Sequence, residues 1–187
     1  MSGRPRDPGV DGAILRATMD LVTENGYRAV SIEGIASRAG VSKQTVYRRY
    51  RSKGEVILDA LAAFAAGKLP TPDTGSLHGD LTELLTATFH AQQGISGTLN
   101  RALAAEAIGD EEFADTVWRR LILPRRDAVR ALLERARERG EFTRHDVDLD
   151  FVVDLVYGPM WYRLLFDPTA LDADYARRTA DAVEALT

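Results

Sequence analysis

The chain has 187 residues, of which 45% are apolar and 28% are charged, with a net charge of -4 and no cysteine. This length suffices for one or two small domains with a buried core, and the lack of cysteine excludes disulfide scaffolds, thiolate metal sites, iron–sulfur clusters and cysteine nucleophiles. The longest stretch without Asp, Glu, Lys or Arg, residues 84–100, is too polar to span a bilayer, and the first residues lack the apolar segment of a secretory signal, so we expect a cytoplasmic protein without membrane contact.

Two helices and a tight turn are predicted first along the chain. Apolar residues at three- and four-residue steps predict an amphipathic helix over Asp11–Glu24 that ends near Gly26. Ser31 is placed to cap a short second helix that runs to Ala39. Gly40 can then take the positive φ that a sharp turn requires.

Two further helices follow, each opened by a serine. Ser42 is placed to cap a third helix over Lys43–Tyr50, and Ser52 is placed to cap a fourth over about residues 53–68. The two prolines and the glycine of the next segment, LPTPDTGS, indicate a linker.

The linker predicts a first domain over residues 1–67 and a second over residues 68–187. The second domain is predicted to be helical throughout, with each helix bounded by a capping side chain, a glycine or a proline. These helices are expected after Ser76, over Thr98–Ile108 beyond a loop bracketed by Gly94 and Gly97, over Glu111–Arg139 with a kink or break at Pro124, over Asp148–Phe166, and from Asp172 to Leu186. No strand pattern occurs, so the sequence predicts an all-α fold of nine or ten helices.

Charge is distributed unevenly along the chain. Residues 1–54 contain ten basic and five acidic side chains, so they carry +5 and the remaining 133 residues carry -9. Between Gly34 and Gly54 six basic side chains occur and no acidic one. Clustered Lys and Arg favour a polyanionic partner, because they release counterions from phosphates. The charge alone is equally consistent with a solvated basic face.

The spacing within residues 31–53 distinguishes these alternatives. Two short helices joined by a turn that contains Gly are typical of a helix-turn-helix, whose second helix enters the major groove of DNA. On the second helix Val46 and Tyr50 are one turn apart, and we predict that they pack on the first helix. The opposite face then presents four side chains with hydrogen-bond donors and no carboxylate, namely Lys43, Gln44, Tyr47 and Arg48.

The run AGVSKQTVYRRYRSKGE, residues 39–55, resembles the helix-turn-helix of the TetR family of transcriptional regulators. The resemblance extends to Gly26-Tyr27, Ser31-Ile32 and Ile35-Ala36. Two residues depart from the family pattern: Gln44, where many members have Gly, and Ser31, where Thr is frequent. The resemblance implies a three-helix DNA-binding domain at the N-terminus, followed by a larger helical domain for ligand binding and dimerisation.

The same resemblance implies roles for individual side chains. It assigns contacts with bases to Lys43, Gln44 and Arg48, and contacts with phosphates to Ser31, Ser42, Thr45, Tyr47, Arg49 and Lys53. By their position on the helix, Thr45 and Arg49 lie at the flank of the exposed face, so either can reach a base instead. Arg4 and Arg6 could probe a minor groove, but their terminal position between prolines favours disorder.

The segment YGPMWYRLLF, residues 157–166, resembles a helix of one subfamily of TetR C-terminal domains. The helix over Asp148–Phe166 is apolar on nearly all sides, which requires cover from its own domain and from a second subunit. With the last helix it implies a homodimer built on a four-helix bundle, and the alternative is an ordinary intramolecular core. The predicted interface residues are Phe151, Leu155, Tyr175, Thr179, Val183 and Leu186.

Members of the family usually hold a small-molecule effector inside the C-terminal domain, and a change in the spacing of the two recognition helices then weakens DNA binding. Candidates for lining such a cavity combine aromatic walls with a few polar groups. They are Phe89, His90, Trp118, Ile122, Tyr157 and Trp161, each of which is more often a core residue than a pocket residue.

No motif typical of an enzyme occurs, since GxSxG, the Walker loop, GxGxxG and HExxH are all missing. His145 lies near three aspartates, but helix capping explains Asp148, so we expect no metal site and no cofactor. The sequence predicts a dimeric repressor that binds a double-stranded, pseudo-palindromic operator and responds to an unknown small molecule. The alternatives are a helix-turn-helix regulator without such an effector, and an all-helical carrier or enzyme that does not bind DNA.

Overall fold

The computed structural model describes residues 8–66, 70–144 and 146–187. Ten α-helices and no strand occur within these ranges, which confirms the predicted all-α fold. In chain order they are α1 (Pro8–Ala29), α2 (Ile32–Ala39), α3 (Lys43–Tyr47), α4 (Lys53–Ala65), α5 (Leu77–Gln92), α6 (Ile95–Ile108), α7 (Glu111–Val117), α8 (Leu123–Glu138), α9 (Leu149–Phe166) and α10 (Ala173–Glu184). The domain boundary predicted after residue 67 falls on residues 67–69, outside the described part, and stays a prediction.

The chain divides into two compact units. The first comprises the chain up to Ala66 together with Ala102–Arg120. Within it α1 packs on α2 and α4, and α3 packs on α2. The apolar side chains of Ile14, Ile35 and Val46 are fully buried in this unit. Burial of this kind supplies most of the stabilisation of such short helices, because isolated helices of this length are unstable in water.

The second unit comprises Gly67–Arg101 and Leu121–Thr187. Its main contact is between α5 and α10, and α8 packs on both α5 and α9. One apolar core joins these four helices, with fully buried side chains that include Leu81, Phe89, Leu133, Val153 and Leu164.

Side-chain caps fix most helix starts. Ser31, Ser42, Ser52 and Ser76 each accept a hydrogen bond from the backbone N–H three residues later, at 3.1–3.2 Å. Asp110 and Asp172 cap α7 and α10 in the same manner, whereas Asp148 caps α9 by accepting from the N–H of Asp150, two residues later. These bonds satisfy backbone donors that the helix itself leaves unpaired. The predicted caps at these seven positions are therefore confirmed.

Three predicted boundaries are corrected. The first helix continues to Ala29, although Gly26 interrupts it with non-helical angles (φ 76°, ψ 164°). Helix α3 ends at Tyr47 instead of Tyr50. Helix α6 begins at Ile95, so Gly97 lies inside a helix and not in a loop. A Cβ atom at residue 97 would lie 1.9 Å from the carbonyl oxygen of Gln92, so glycine is required there by a close approach of two backbones.

The predicted break at Pro124 is confirmed. A π-helical turn, Trp118–Ile122, separates α7 from α8, and the proline occupies the first turn of α8. Proline is tolerated there because the first backbone N–H groups of a helix have no partner within it.

A buried carboxylate connects the segment before α5 to α8. Asp80 is fully buried and accepts hydrogen bonds from the backbone N–H and the hydroxyl of Thr74, at 2.6 and 2.8 Å. Arg139 and Arg135 on the α8 side lie 3.3 and 3.5 Å from the same carboxylate. Burial alone would raise the pKa of the Asp80 carboxyl, but these bonds and charges lower it below the ordinary value.

Candidate nucleic-acid interface

Helix α3 is held in place by a tight turn and by its apolar face. Gly40 has a φ of 67° and donates to the carbonyls of Ala36 and Ser37, which ends α2. Val46 is fully buried and Tyr50 is 6% exposed, so both pack inward as predicted. The position of α3 is therefore fixed without using its opposite face.

The opposite face of α3 is open to solvent. Lys43, Gln44 and Arg48 are exposed, and the Tyr47 side chain is 49% exposed. Within the described chain, the Gln44 and Arg48 side chains have no hydrogen-bond or ion-pair partner. An amide and a guanidinium one turn apart, with every donor available, can form paired hydrogen bonds with base edges.

Lys43 differs from its neighbours on this face, because its ammonium group is engaged. It donates a hydrogen bond to the carboxylate of Glu33, in the first turn of α2. The ammonium also lies 5.4 Å from the centroid of the Tyr47 ring. The Glu33 bond raises the pKa of Lys43, and the Lys43 bond lowers the pKa of Glu33.

Three of the four predicted phosphate-contacting hydroxyls lie at helix starts, and the fourth, that of Tyr47, lies at the end of α3. Ser31 and Ser42 are exposed, and Thr45 is half-buried. The Ser42 Oγ accepts the Thr45 N–H at 3.1 Å and lies 2.9 Å from the Thr45 Oγ1. The Ser31 and Ser42 oxygens accept the capping bonds, and one hydroxyl hydrogen of the Ser42–Thr45 pair lies in the bond between the two. The other hydroxyl hydrogens remain the groups suited to a phosphate oxygen.

Two predicted phosphate-contacting cations are directed at partners within the protein. The guanidinium of Arg49 pairs with Asp11 and donates to the carbonyl of Thr45 at 3.2 Å, with 13% of the side chain exposed. The ammonium of Lys53 donates to the carbonyl of Tyr27 at 3.2 Å and lies 4.6 Å from the centroid of that ring. Their phosphate contacts therefore stay predictions, and each would require exchange of an existing partner.

Three residues that complete these contacts were not recognised from the sequence. They are Asp11 beside Arg49, Glu33 beside Lys43, and Glu106, which accepts a hydrogen bond from the Tyr27 hydroxyl. Burial and the Glu106 carboxylate together raise the pKa of Tyr27. Tyr27 and Glu106 are 79 residues apart, so no local pattern connects them.

The predicted interface residues of the second unit lie mostly together. A surface groove of about 470 Å³ runs between α9 and α10. It is lined by Leu155, Pro159, Tyr175, Arg178, Thr179, Ala182, Val183 and Leu186, so five of the six predicted residues share it. The sixth, Phe151, is 58% exposed on α9. Tyr162 and Phe166, also on α9, are 67% and 76% exposed.

The six candidate effector residues are not gathered around one described recess. Phe89 and His90 line a recess of about 420 Å³ with Thr86, Gln93, Thr169, Leu171, Asp172 and Ala173. Tyr157 lies in the core, where its hydroxyl donates to the carbonyl of Arg125 at 3.2 Å and burial raises its pKa to about 12. Trp161 packs against that core.

The remaining two candidates are less buried. Ile122 is half-buried in the turn before α8. Trp118 is 47% exposed and belongs to the first unit, while the other candidates belong to the second.

Two further predictions concern metals and membranes. His145 lies outside the described residues, as do Arg4 and Arg6. Among the described residues no group of three or more His, Asp or Glu side chains could hold a metal ion. The helices described are too short or too polar to cross a membrane.

Comparisons with known proteins agree with this geometry. The family model described as "Bacterial regulatory proteins, tetR family" matches residues 14–60, and the one described as "Tetracyclin repressor-like, C-terminal domain" matches residues 71–183. The chain belongs to the TetR family of bacterial transcriptional regulators. It is thus a DNA-binding regulator, as predicted, and the enzyme alternative is set aside.

Similar proteins extend over nearly the whole chain. The uncharacterized HTH-type transcriptional regulator YdeS of Bacillus subtilis is 38% identical, over 94% of this chain and 88% of that protein. The crystal structure of the TetR family transcription regulator SCO0332 gives a TM-score of 0.84 at 28% identity, covering 95% and 98% of the two chains. Thermus thermophilus FadR, a TetR family repressor in complex with lauroyl-CoA, shares the fold with a TM-score of 0.77 at 20% identity, covering 94% and 93%.

Proposed function

We propose that this TetR-family protein represses transcription as a two-fold homodimer that binds a pseudo-palindromic operator. One observation carries the proposal. Gln44 of α3 and Arg48, which caps the C-terminus of this carboxylate-free helix, are exposed and one turn apart, and their side chains have no hydrogen-bond or ion-pair partner within the described chain. Two such helices about 34 to 36 Å apart would enter successive major grooves of one duplex.

Within this complex we assign base contacts to Arg48, Gln44 and Lys43. Arginine pairs with the O6 and N7 of guanine, and glutamine pairs with the N6 and N7 of adenine. The exposed hydroxyls of Ser31, Ser42 and Tyr47, together with Thr45, would bind phosphates and fix the register. Arg49 and Lys53 would hold α3 and α4 in place and reach phosphates only after releasing their present partners.

The test begins with a duplex selected by the wild-type protein from a randomised library. Arg48→Ala should weaken binding to this duplex by about 10-fold to 100-fold and relax the preference at one base pair. Arg144→Ala removes the same charge from an exposed loop of the second unit and serves as the matched control. Equal losses on selected and scrambled duplexes would contradict the assignment of Arg48 to a base. Failure of the wild type to select any duplex would contradict DNA binding by this surface.

The homodimer is supported by the face formed by α9 and α10. This face combines the apolar groove that contains Leu155 with exposed aromatic side chains on α9. Contiguous exposed apolar surface of this kind is typical of a protein–protein interface. A second copy fits best, because two-fold reading of an operator requires two identical subunits.

We further propose that a small apolar or amphipathic molecule regulates DNA binding. The recess beside Phe89 and His90 combines three apolar side chains with five polar ones, which suits an amphipathic ligand. The ligand in the FadR structure supports acyl-CoA as the first probe. Lauroyl-CoA should raise the melting temperature and release the selected duplex, and Thr86→Trp, which fills the recess, should remove both effects.

His78→Trp places the same ring at a half-buried position of α5 outside the residues that line this recess, and it should leave the response intact. A response that survives Thr86→Trp would place the effector elsewhere. If neither acyl-CoA nor a wider set of apolar compounds changes DNA binding, a regulator without a small-molecule effector is favoured instead. With or without an effector, the proposed target of this regulator is DNA, so we assign the protein to the cytoplasm.

A further inference from the structure

The carboxylate of Glu33 faces the surface that we assign to DNA. Glu33 lies in the first turn of α2, is exposed, and accepts a hydrogen bond from the ammonium of Lys43, the first residue of α3. It is also the last acidic residue before the stretch from Gly34 to Gly54, which contains none. A negative charge therefore stands at the edge of an otherwise positive surface.

This contact gives Lys43 a different status from Arg48. The Arg48 side chain has no partner within the described chain, whereas the ammonium of Lys43 is held between the Glu33 carboxylate and the ring of Tyr47. A free lysine binds any phosphate, because its attraction to the backbone does not depend on sequence. A lysine paired with a carboxylate presents a donor and an acceptor side by side.

We propose that Glu33 is a specificity-determining residue, which withholds Lys43 from phosphates and makes its contribution depend on a base edge. This inference rests on the proposed binding of DNA by the α2–α3 surface. Phosphate oxygens are acceptors only, so they attract Lys43 and repel Glu33. The major-groove edge of a base pair offers both kinds of group, an amino donor on cytosine or adenine and acceptors on guanine or thymine. The Glu33–Lys43 pair offers an acceptor and a donor to such an edge, but its carboxylate is repelled by the DNA phosphates.

The matched comparison is between Glu33→Gln and Glu24→Gln. Glu24 is also an exposed carboxylate paired with a cation, since it accepts two hydrogen bonds from Arg38 of α2 at 2.9 and 2.7 Å. Both substitutions remove one negative charge from the same unit and break one ion pair with a cation of α2 or α3. They differ in that only Glu33 holds a residue of α3.

Binding is measured on the selected duplex and on a scrambled duplex of the same length, over a range of salt concentrations. Glu33→Gln should raise affinity for the scrambled duplex by about threefold to tenfold, and it should steepen the salt dependence by roughly one phosphate contact. Affinity for the selected duplex should rise less or fall, so the ratio of the two affinities decreases. Glu24→Gln should change both affinities by the same small factor.

A double-mutant cycle separates this role from general charge and from stability. In the Lys43→Met background, Glu33→Gln should no longer change the ratio of affinities. In the wild-type background, Glu33→Asp keeps the charge and should retain most of the wild-type ratio. Thermal unfolding of the Glu33→Gln variant reports the loss of a favourable carboxylate from the first turn of α2, which by itself would not alter the ratio. If Glu33→Gln and Glu24→Gln behave alike, or if the effect of Glu33→Gln persists without Lys43, the inference is wrong while DNA binding stands. A wild type that selects no duplex would contradict the proposed function itself.

Discussion

The exposed face of α3 and the exposed face of α9 show two opposite ways of leaving side chains uncovered. Helix α3 is five residues long and, together with its C-cap Arg48, presents amide, ammonium and guanidinium groups, with Val46 turned inward. Helix α9 is 18 residues long and presents Phe151, Tyr162 and Phe166 to solvent. Polar groups are well hydrated while uncovered, whereas exposed aromatic surface gains free energy when it is covered.

The polar face of α3 suits a reversible contact, whereas the apolar face of α9 suits a lasting one. A polar face that is satisfied by water can exchange water for a charged polymer and return to it, as regulation requires. An apolar face favours an association that persists between binding events. The predictions below test this division, beginning with the largest expected effect.

Substitution of the apolar groove should abolish the dimer. Leu155→Arg places a cation between α9 and α10, beside Arg178, where it lacks a partner. We expect a monomer by sedimentation and a loss of affinity for the selected duplex of about 100-fold or more, because each half-site then binds alone. Ile108→Arg is the control, since Ile108 is 87% exposed on α6 outside this groove. A Leu155→Arg protein that remains dimeric would show that the subunits meet elsewhere.

Loss of the buried carboxylate should weaken the second unit without changing the chemistry of α3. Asp80→Asn leaves Arg135 and Arg139 without their shared partner and should cost about 3 kcal/mol in the free energy of unfolding. Because the pKa of Asp80 is lowered by folding, its contribution is present above the ordinary pKa of an aspartate and is lost as the pH falls through the lowered value.

Chemical denaturation at several pH values checks both statements about Asp80. On acidification, the free energy of unfolding of the wild type should fall more than that of Asp80→Asn. The difference in the free energy of unfolding between the two proteins should therefore become smaller. The salt dependence of DNA binding should stay the same for both proteins. A difference in stability that does not depend on pH would contradict the assigned titration.

The smallest effect is expected at the caps. Ser42→Ala removes the hydrogen bond to the Thr45 N–H and should cost about 1 kcal/mol of stability. Because α3 has so few hydrogen bonds of its own, DNA affinity should fall as well. Ser76→Ala removes the equivalent cap of α5 and should cost a similar amount, as measured by thermal unfolding, but leave DNA affinity unchanged. Equal losses of DNA affinity in both variants would argue against a local role for the Ser42 cap.

The sequence was most informative where a residue acts on its near neighbours. The four serine caps and the turn at Gly40 depend on contacts within five residues, so spacing alone predicts them. The exposed polar face of α3 follows from the same periodicity. The apolar character of α9 predicted an interface between subunits, and five of the six residues predicted for it line the α9–α10 groove.

Contacts between distant residues were not predictable in this way. Arg49 and Lys53 looked like free cations, but their partners Asp11 and Tyr27 lie 38 and 26 residues away in sequence. The start of α6 was misplaced because Gly97 resembles a loop residue, and only the nearby carbonyl of Gln92 explains it. The effector candidates share an aromatic character but not a location, since burial of an aromatic side chain does not distinguish a core from a cavity.

On α3 and the residues that follow it, the side chains that pack in the core differ from those assigned to DNA, and this has an evolutionary consequence. Val46 and Tyr50 anchor the helix, while the Gln44 and Arg48 side chains have no hydrogen-bond or ion-pair partner in the described chain. Mutations at residues 44 and 48 can therefore accumulate with little effect on folding. After gene duplication, two copies could diverge towards different promoters through these positions while keeping the same scaffold.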